Sequence, residues 1–261
     1  MAIWLGPMGK PAAKRPPKFT ATGTLGVDYL YTDSTDANGI VHFEIAVLNP
    51  CAFTFSRIVP VDLALIGAGQ AGSAGYDDTE SYPDSYGGTG GDGGNILRVQ
   101  NVTLSKGTQI LFSPGIDGAD TTVTENGSTL YSSANTQQAR KSGGEGARAA
   151  GNGYGTSHDA GNGADGEFPW DAGSTASALL PGVLFGPGGG GGGATNSLSY
   201  SRSKGFGGNT GGGDGGDNSS ISGTAGAANR GTGGGGGRGY IGFGNSGSAG
   251  GSGIAFIRDH R

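Results

Sequence analysis

Apolar and polar positions alternate in two parts of this chain, and glycine interrupts the rest. The alternation is typical of half-buried β-strands, and it marks three segments near the amino terminus: residues 27–31, 40–48 and 53–66. Asn38-Gly39 lies between the first two segments and favours a hairpin with a two-residue type I′ turn. Similar strand patterns return at residues 96–104, 108–112 and 121–124. We therefore expect a second β-rich stretch at residues 96–133, beside the glycine-rich part.

Glycine recurs at every third position in several runs. The longest extends from residue 205 to 253, where Gly233, Gly236, Gly239 and Gly242 are followed by a series in a different phase that begins at Gly244. A period of three matches neither α-helix nor strand, but it matches the left-handed helix of the polyproline-II type, in which every third residue lies on one edge. Shorter series begin near residues 69, 87, 143, 163 and 186. A bare glycine edge lets another backbone approach closely, which predicts runs packed as polyglycine-II helices.

Composition leaves a second interpretation open. The chain contains 60 Gly and 11 Pro in 261 residues, a share found in disordered, low-complexity chains. Against disorder, 33% of the residues are hydrophobic, and the aromatic side chains fall between the glycine runs and in the first quarter of the sequence. Collagen is disfavoured because it needs one unbroken register and more proline.

Charge and cysteine content exclude some classes of function. The net charge of −5 argues against a general nucleic-acid binder. The single cysteine, Cys51, allows no internal disulfide and is expected to be a small buried side chain in a strand. The first residues lack the basic start of a signal peptide, and no apolar stretch approaches the length of a membrane span. We expect folding in a reducing cytoplasm, without membrane insertion.

The amino terminus combines an apolar cluster with positive charge. Ile3, Trp4 and Leu5 precede a proline-broken segment that contains four basic residues and no acid. Proline excludes a long helix here. A frayed, solvated terminus is one interpretation. The other is a docking arm, because the apolar cluster is exposed unless a partner covers it.

Motifs for chemistry are weak. Gly67, Gly69 and Gly72 form a G-x-G-x-x-G after an apolar strand, as in dinucleotide-binding proteins, but no helical pattern follows to hold a pyrophosphate. We therefore expect no cofactor. The three histidines stand in no metal-ligand or nucleophile motif, and the acids between residues 77 and 80 are typical of a solvated loop. Hence we expect no catalytic site and no metal site.

The insertions between glycine runs carry bulky side chains. If successive runs pass up and down a packed bundle, every other connector emerges at the same end. We expect connectors 76–86, 154–159 and 194–204 at one end, with 168–175 as a fourth. Residues 115–120 also reach this end if the β stretch at residues 96–133 crosses the bundle twice. Aromatic residues on such loops suit recognition, although they could instead seal the edges of the bundle. The candidate binding residues are Tyr76, Asp78, Tyr82, Tyr86, Asp117, Tyr154, His158, Phe168, Trp170, Tyr200 and Arg202.

These features together resemble one family. The opening Met-Ala-Ile-Trp-Leu-Gly-Pro, the strand that runs into residues 66–69, the alternation of glycine motifs with irregular loops, and the closing Gly-Ile-Ala-Phe-Ile at residues 253–257 are similar to the receptor-recognising adhesins at the tip of the long tail fibre of T-even-like bacteriophages. The resemblance implies that an attachment domain docks on the distal tip of the trimeric fibre protein. It also implies that variable loops bind a porin-like outer-membrane protein of the host. The protein would then be made in the host cytoplasm and carried on the virion.

The expected fold class is mainly irregular and β, with little α-helix. Residues 1–65 would form a β-rich fibre-attachment domain, with Ile3, Trp4 and Leu5 in the docking role. Residues 66–261 would form a packed polyglycine-II sandwich with protruding loops. Two other functions remain open: an ice-binding bundle, which needs a flat, regular face, and a glycan-degrading fibre tip, which needs paired carboxylates in a groove.

Overall fold

The computed structural model describes residues 18–78, 84–136, 138–145, 147–149, 157–195, 201–218, 220–240 and 243–260. This part of the chain contains strands and two short 3-10 turns, Ser133–Asn135 and Asp171–Gly173, and no α-helix. The predicted β-rich class with little helix is confirmed. The strands are β1 (Phe19–Ala21), β2 (Tyr29–Thr35), β3 (Val41–Val47), β4 (Cys51–Phe55), β5 (Val59–Ile66), β6 (Tyr76–Asp78), β7 (Asp84–Tyr86), β8 (Ile96–Leu104), β9 (Gln109–Ser113), β10 (Thr122–Glu125), β11 (Ser128–Ser132), β12 (Arg148–Ala149), β13 (Ala194–Thr195), β14 (Ser201–Arg202), β15 (Gly239–Tyr240), β16 (Phe243–Gly244) and β17 (Ile254–Asp259).

Two five-stranded antiparallel sheets form one part of the molecule. Their strand orders are β1-β4-β9-β10-β11 and β2-β3-β17-β5-β8. Inward side chains from both sheets share one apolar core, which includes Phe53, Phe112, Ile45 and Leu63, all fully buried. Burial of this surface is the main source of stability for the sheets.

The sheets combine distant parts of the sequence. β17, from the carboxyl terminus, pairs with β3 on one side and β5 on the other, so that it is the central strand of its sheet. β8 to β11 complete both sheets. Residues beyond position 65 are therefore integral to the fold that we assigned to residues 1–65. The apolar period alone could not show which strands pair.

The hairpin predicted around Asn38-Gly39 is confirmed, but its turn is different. β2 pairs with β3 out to Thr35 and Val41. Gly39 has a positive φ of 80° and Asn38 does not, which excludes type I′. The carboxylate of Asp36 accepts the N–H groups of Asn38 at 2.9 Å and Ile40 at 2.8 Å, and this favours the longer turn.

The glycine-rich segments form ten extended runs that lie side by side and form the glycine bundle. Hydrogen bonds between backbones connect each run to its neighbours. In chain order the runs are run 1 (67–75), run 2 (87–95), run 3 (141–145), run 4 (159–166), run 5 (186–193), run 6 (203–208), run 7 (212–217), run 8 (221–227), run 9 (231–238) and run 10 (245–253).

The bonds arrange these runs in three rows. Runs 1, 2 and 3 form one outer row, runs 10, 9, 5 and 4 the middle row, and runs 8, 7 and 6 the other outer row. Run 5 is bonded to runs 2, 3, 4, 6, 7 and 9, so that other backbones surround it, and every residue of 186–193 is buried. This explains the six consecutive glycines at residues 188–193, because no direction is left for a side chain.

Outer runs need glycine only where they face a neighbour. In run 1, Gly69, Gly72 and Gly75 recur at every third position, and a methyl group on each would overlap a backbone carbonyl of run 9. The N–H groups of the same glycines donate to run 10 at distances of 2.9–3.0 Å. The residues between them, such as Gln70 and Ala71, are exposed. Glycine therefore recurs at every third position of run 1 because the edge that packs against run 9 leaves no space for a side chain.

Candidate functional site

The loops at one end of the glycine bundle form the candidate site. Ile66 leads from β5 into run 1, and run 10 leads into β17 at Ile254, so these run ends lie beside the sheets. At the other end, five connectors join runs 1 to 2, 3 to 4, 5 to 6, 7 to 8 and 9 to 10. Their described strands pair in two small sheets, β12-β7-β6 and β14-β13-β15-β16. We call this end the tip.

Two of the predicted tyrosines lie together at the tip. Tyr76 in β6 and Tyr86 in β7 are paired across the hairpin, and their rings stack with centroids 4.6 Å apart at an angle of 11°. Tyr76 is 57% exposed. The hydroxyl of Tyr86 donates to the carboxylate of Asp84 at 3.3 Å. The backbone of Asp78 belongs to the same hairpin, while its side chain lies outside the described part of the structure.

Tyr240 and Arg238 belong to the tip and were missed by the sequence analysis. The guanidinium of Arg238 lies over the Tyr240 ring, 4.9 Å from its centroid, and Arg238 Nη2 donates to Thr195 Oγ1 at 2.8 Å. The change of glycine phase after Gly242 was the signal that could have revealed them. It marks the reversal between runs 9 and 10, which we had treated as one stretch.

Basic residues occupy another part of the tip. Arg202 in β14 lies opposite Ala194, and its Nε is buried without a hydrogen-bond partner. Lys204 lies 3.3 Å from the carboxylate of Asp217. His158, immediately before run 4, is exposed, and its Nδ1 contacts the backbone oxygen of Asp159 at 3.1 Å. The structure thus brings Arg202 and His158 to the tip, as expected.

Trp170 and Phe168 do not lie at the tip, and this part of the prediction was wrong. Connector 167–185 emerges beside the sheets, because it joins run 4 to run 5 and runs alternate in direction. Trp170 is 2% exposed, packs edge-on against Phe256 with ring centroids 6.0 Å apart, and donates from Nε1 to Glu44 at 3.3 Å. The backbone oxygen of Phe168 accepts from Arg98 at 2.7 Å. Both residues therefore connect the bundle to the sheets.

The remaining candidates divide into two groups. Asp117 is exposed, but its loop lies beside the sheets, since Gly115 O accepts from Gly253 and Ala119 O from Ala68. The expectation that residues 115–120 reach the tip was wrong. Six other candidates lie outside the described residues: Ile3, Trp4, Leu5, Tyr82, Tyr154 and Tyr200.

A cleft of about 490 Å³ lies between the second sheet and connector 167–185. Its walls include Asp62, Asp171 and Arg258. Both carboxylates are held by the same guanidinium, at 3.2 Å for Asp62 and 2.9 Å for Asp171. This pairing satisfies the acids and braces connector 167–185 against β17, so the cleft does not offer a free carboxylate pair.

Other chemistry finds little support in the described part of the chain. The glycines of the G-x-G-x-x-G motif begin run 1, and residues 67–78 contain no helix that could hold a pyrophosphate. No group of three or more His, Cys, Asp or Glu side chains in the described ranges is arranged to bind a metal. Among the same residues, no helix has the length and apolar character needed to span a membrane.

Comparisons with protein-family models, with curated proteins and with solved structures find no match to this chain.

Proposed function

We propose that this protein is the adhesin at the tip of a bacteriophage long tail fibre, which docks on the trimeric fibre protein and binds a host outer-membrane protein through its tip loops. The observation that carries the proposal is the convergence of five connectors at the end of the bundle farthest from the sheets. A binding surface there is spatially separated from the amino-terminal part of the chain.

The end of the sheets opposite the bundle suits docking. Lys18, the first described residue, follows the apolar and basic amino-terminal segment in the sequence, and its backbone oxygen accepts from Ser56 at 2.8 Å at this end. Exposed apolar side chains lie nearby on the turns that β2–β3 and β4–β5 make there: Ile40 is 43% exposed and Ile58 63%. We call this the docking end. It is the face that we propose to contact the fibre.

The glycine bundle is proposed to be a polyglycine-II sandwich. Hydrogen bonds that recur at every third residue, and glycine edges with no space for a Cβ atom, support this assignment. Such a scaffold is held by backbone atoms, so the connectors can change in sequence without disturbing it. A recognition surface that must follow changes in a receptor benefits from that separation.

Binding, rather than turnover, is the proposed activity of the tip. Its exposed aromatic and basic side chains are of the kind that supply contact energy at protein interfaces. The described tip acids Asp84, Asp159 and Asp217 are engaged in hydrogen bonds or ion pairs with the protein itself. We therefore assign no catalytic residue.

The proposal is tested by pull-down with the purified chain. Outer-membrane vesicles from a panel of Gram-negative strains are incubated with the immobilised protein, before and after protease treatment of the vesicle surface. We expect capture of vesicles from at least one strain, lost after proteolysis. Capture from none, or capture that survives complete removal of surface proteins, would contradict the proposal. A freezing-point assay on the same sample tests the ice-binding alternative.

A further inference from the structure

Three tyrosines on adjoining strands of the tip and the arginine that ends run 9 form a surface patch that we call the aromatic corner: Tyr76, Tyr86, Tyr240 and Arg238. β6 and β7 carry the first two, and β15 packs against both strands. The contact is close, because a Cβ atom on Gly239 would overlap the backbone of Tyr86. The strands that carry the three tyrosines are thus brought together by packing of runs 1, 2 and 9.

The corner is exposed and already ordered by internal contacts. Tyr76 and Tyr240 are 57% and 42% exposed. One face of Tyr76 stacks on Tyr86, and the ring of Tyr240 lies on the guanidinium of Arg238, which is only 9% exposed. Side chains that are fixed before binding lose less conformational entropy when a partner arrives. Large exposed aromatic surface that is held in place is therefore well suited to a binding hot spot.

The charge around the corner selects the kind of partner. Connector 76–86 contains Asp77, Asp78, Glu80 and Asp84 and no lysine or arginine. Arg148 in β12 and Arg238 at the end of run 9 adjoin this connector along the backbone, and its four acidic residues outnumber these two basic ones. Both the face of a tyrosine ring and nearby carboxylates attract a cation. They repel the phosphate groups of an anionic surface glycan.

We propose that the aromatic corner receives a lysine or arginine side chain of the receptor protein, laid over the exposed face of Tyr76 and beside the carboxylate of Asp84, which the hydroxyl of Tyr86 contacts. The proposal rests on the proposed function, since it names the chemistry of the partner at the same tip. The pair formed by Arg238 and Tyr240 is an example of this contact within the protein's own tip.

The test compares two variants at position 76 that separate the effect of the aromatic ring face from the effect of apolar side-chain volume. Tyr76→Phe keeps an aromatic face, whereas Tyr76→Leu keeps an apolar side chain without one. Binding is measured on outer-membrane vesicles from a strain that the wild-type chain captures. We expect Tyr76→Leu to bind at least about fivefold more weakly and Tyr76→Phe to stay within about twofold of wild type. Melting temperatures, expected to be unchanged for this exposed position, show that each variant is folded.

Charge is tested on both sides of the contact. Asp84→Asn is expected to weaken binding, while Asp117→Asn, the same change beside the sheets, is not. Vesicles whose lysines are acetylated and whose arginines are blocked with phenylglyoxal should no longer be captured. Binding of a lectin to the same vesicles checks that their glycans survive the treatment.

The outcomes distinguish the two proposals. If the wild-type chain captures vesicles from no strain, the proposed function fails, and this inference fails with it. If the wild-type chain binds but Tyr76→Leu binds as well as Tyr76→Phe, or the modified vesicles are captured as well as native ones, the inference alone is overturned. The latter result would show that the corner contacts a part of the receptor other than its lysine and arginine side chains.

Discussion

The side-chain Oδ1 of Asn162 accepts the backbone N–H of Phe206 at 2.8 Å. The same contact recurs three residues away in each direction, where Asp159 accepts from Ser203 and Asp165 from Asn209, both at 2.9 Å. Three side chains of run 4 thus accept hydrogen bonds from backbone N–H groups along one edge of run 6 and of Asn209 just beyond it. No backbone carbonyl in the described part of the chain accepts these three N–H groups. The acidic and amide side chains take the place of another run at this edge.

Asn162→Ala should leave the Phe206 N–H without its acceptor. We expect the free energy of unfolding to fall by roughly 0.5–1.5 kcal/mol, the usual worth of one such bond. Asn162→Asp keeps an acceptor oxygen and should lose less. Urea unfolding measures the stability, and amide exchange at Phe206 measures the local effect. Equal protection of that amide in wild type and Asn162→Ala would show that the bond does not form.

Gly72 should not tolerate a larger side chain, whereas its neighbour Ala71 should. Gly72→Val places a side chain against the Gly235 carbonyl and should cost at least about 1–3 kcal/mol, the range for overpacking. Ala71→Val adds bulk one residue away, where the side chain is exposed, and should be nearly neutral. The two melting temperatures are compared directly. Similar values would mean that run 1 is not packed against run 9.

Trp170 should matter for stability and not for receptor binding. Trp170→Ala removes a fully buried ring and should cost about 3–5 kcal/mol. Trp170→Phe keeps most of the packing but loses the N–H that donates to Glu44, so a smaller cost, of about 1 kcal/mol, is expected. Vesicle capture by Trp170→Phe should equal that of wild type. If Trp170→Phe captured fewer vesicles while its free energy of unfolding equalled that of wild type, Trp170 would have to contact the receptor.

The strands and the close packing of the glycine runs follow from residue spacing, whereas the partners of each element do not. Alternation identified β2, β3 and β5, since side chains on successive positions point to opposite faces. Pairing of β17 between β3 and β5 depends on contacts across more than 180 residues, for which a local pattern carries no information. The phase change at Gly242 was visible, but only the structure shows that it marks a reversal of the chain.

The same limit applies to the candidate site residues: spacing predicts which of them lie on connectors, but not which elements they contact. Tyr76, Tyr86 and Arg202 lie on tip connectors, as expected, because each connector joins two glycine runs of opposite direction. Trp170 was misplaced because its connector lies between connectors 154–159 and 194–204, so the alternation of the runs puts it at the opposite end from both. A large aromatic residue in a loop suits both recognition and a core, and its sequence neighbours do not distinguish the two.

Stability should fall at alkaline pH through Tyr31. Burial, with the hydrogen bond to Asp33 as a further cause, raises the pKa of Tyr31 to about 12. In the unfolded chain the tyrosine hydroxyl ionises near pH 10. Between about pH 10 and 12, unfolding therefore releases the proton of Tyr31. The free energy of unfolding falls as pH rises through that window. Tyr31→Phe should show a shallower fall over this range in urea unfolding. An unchanged slope would contradict the assignment.

The separation of a docking end from a recognition tip is tested by blocking each end in turn. Cys51 is buried, so a new exposed cysteine is the only one that reacts with a bulky maleimide polymer. Ser201→Cys places the label on the tip, and Ser56→Cys places it on the docking end. We expect the label at position 201 to abolish vesicle capture and leave attachment to purified tail fibres intact, and the label at position 56 to do the reverse. If the label at 201 leaves capture intact, or the label at 56 removes it, the receptor is not bound at the tip.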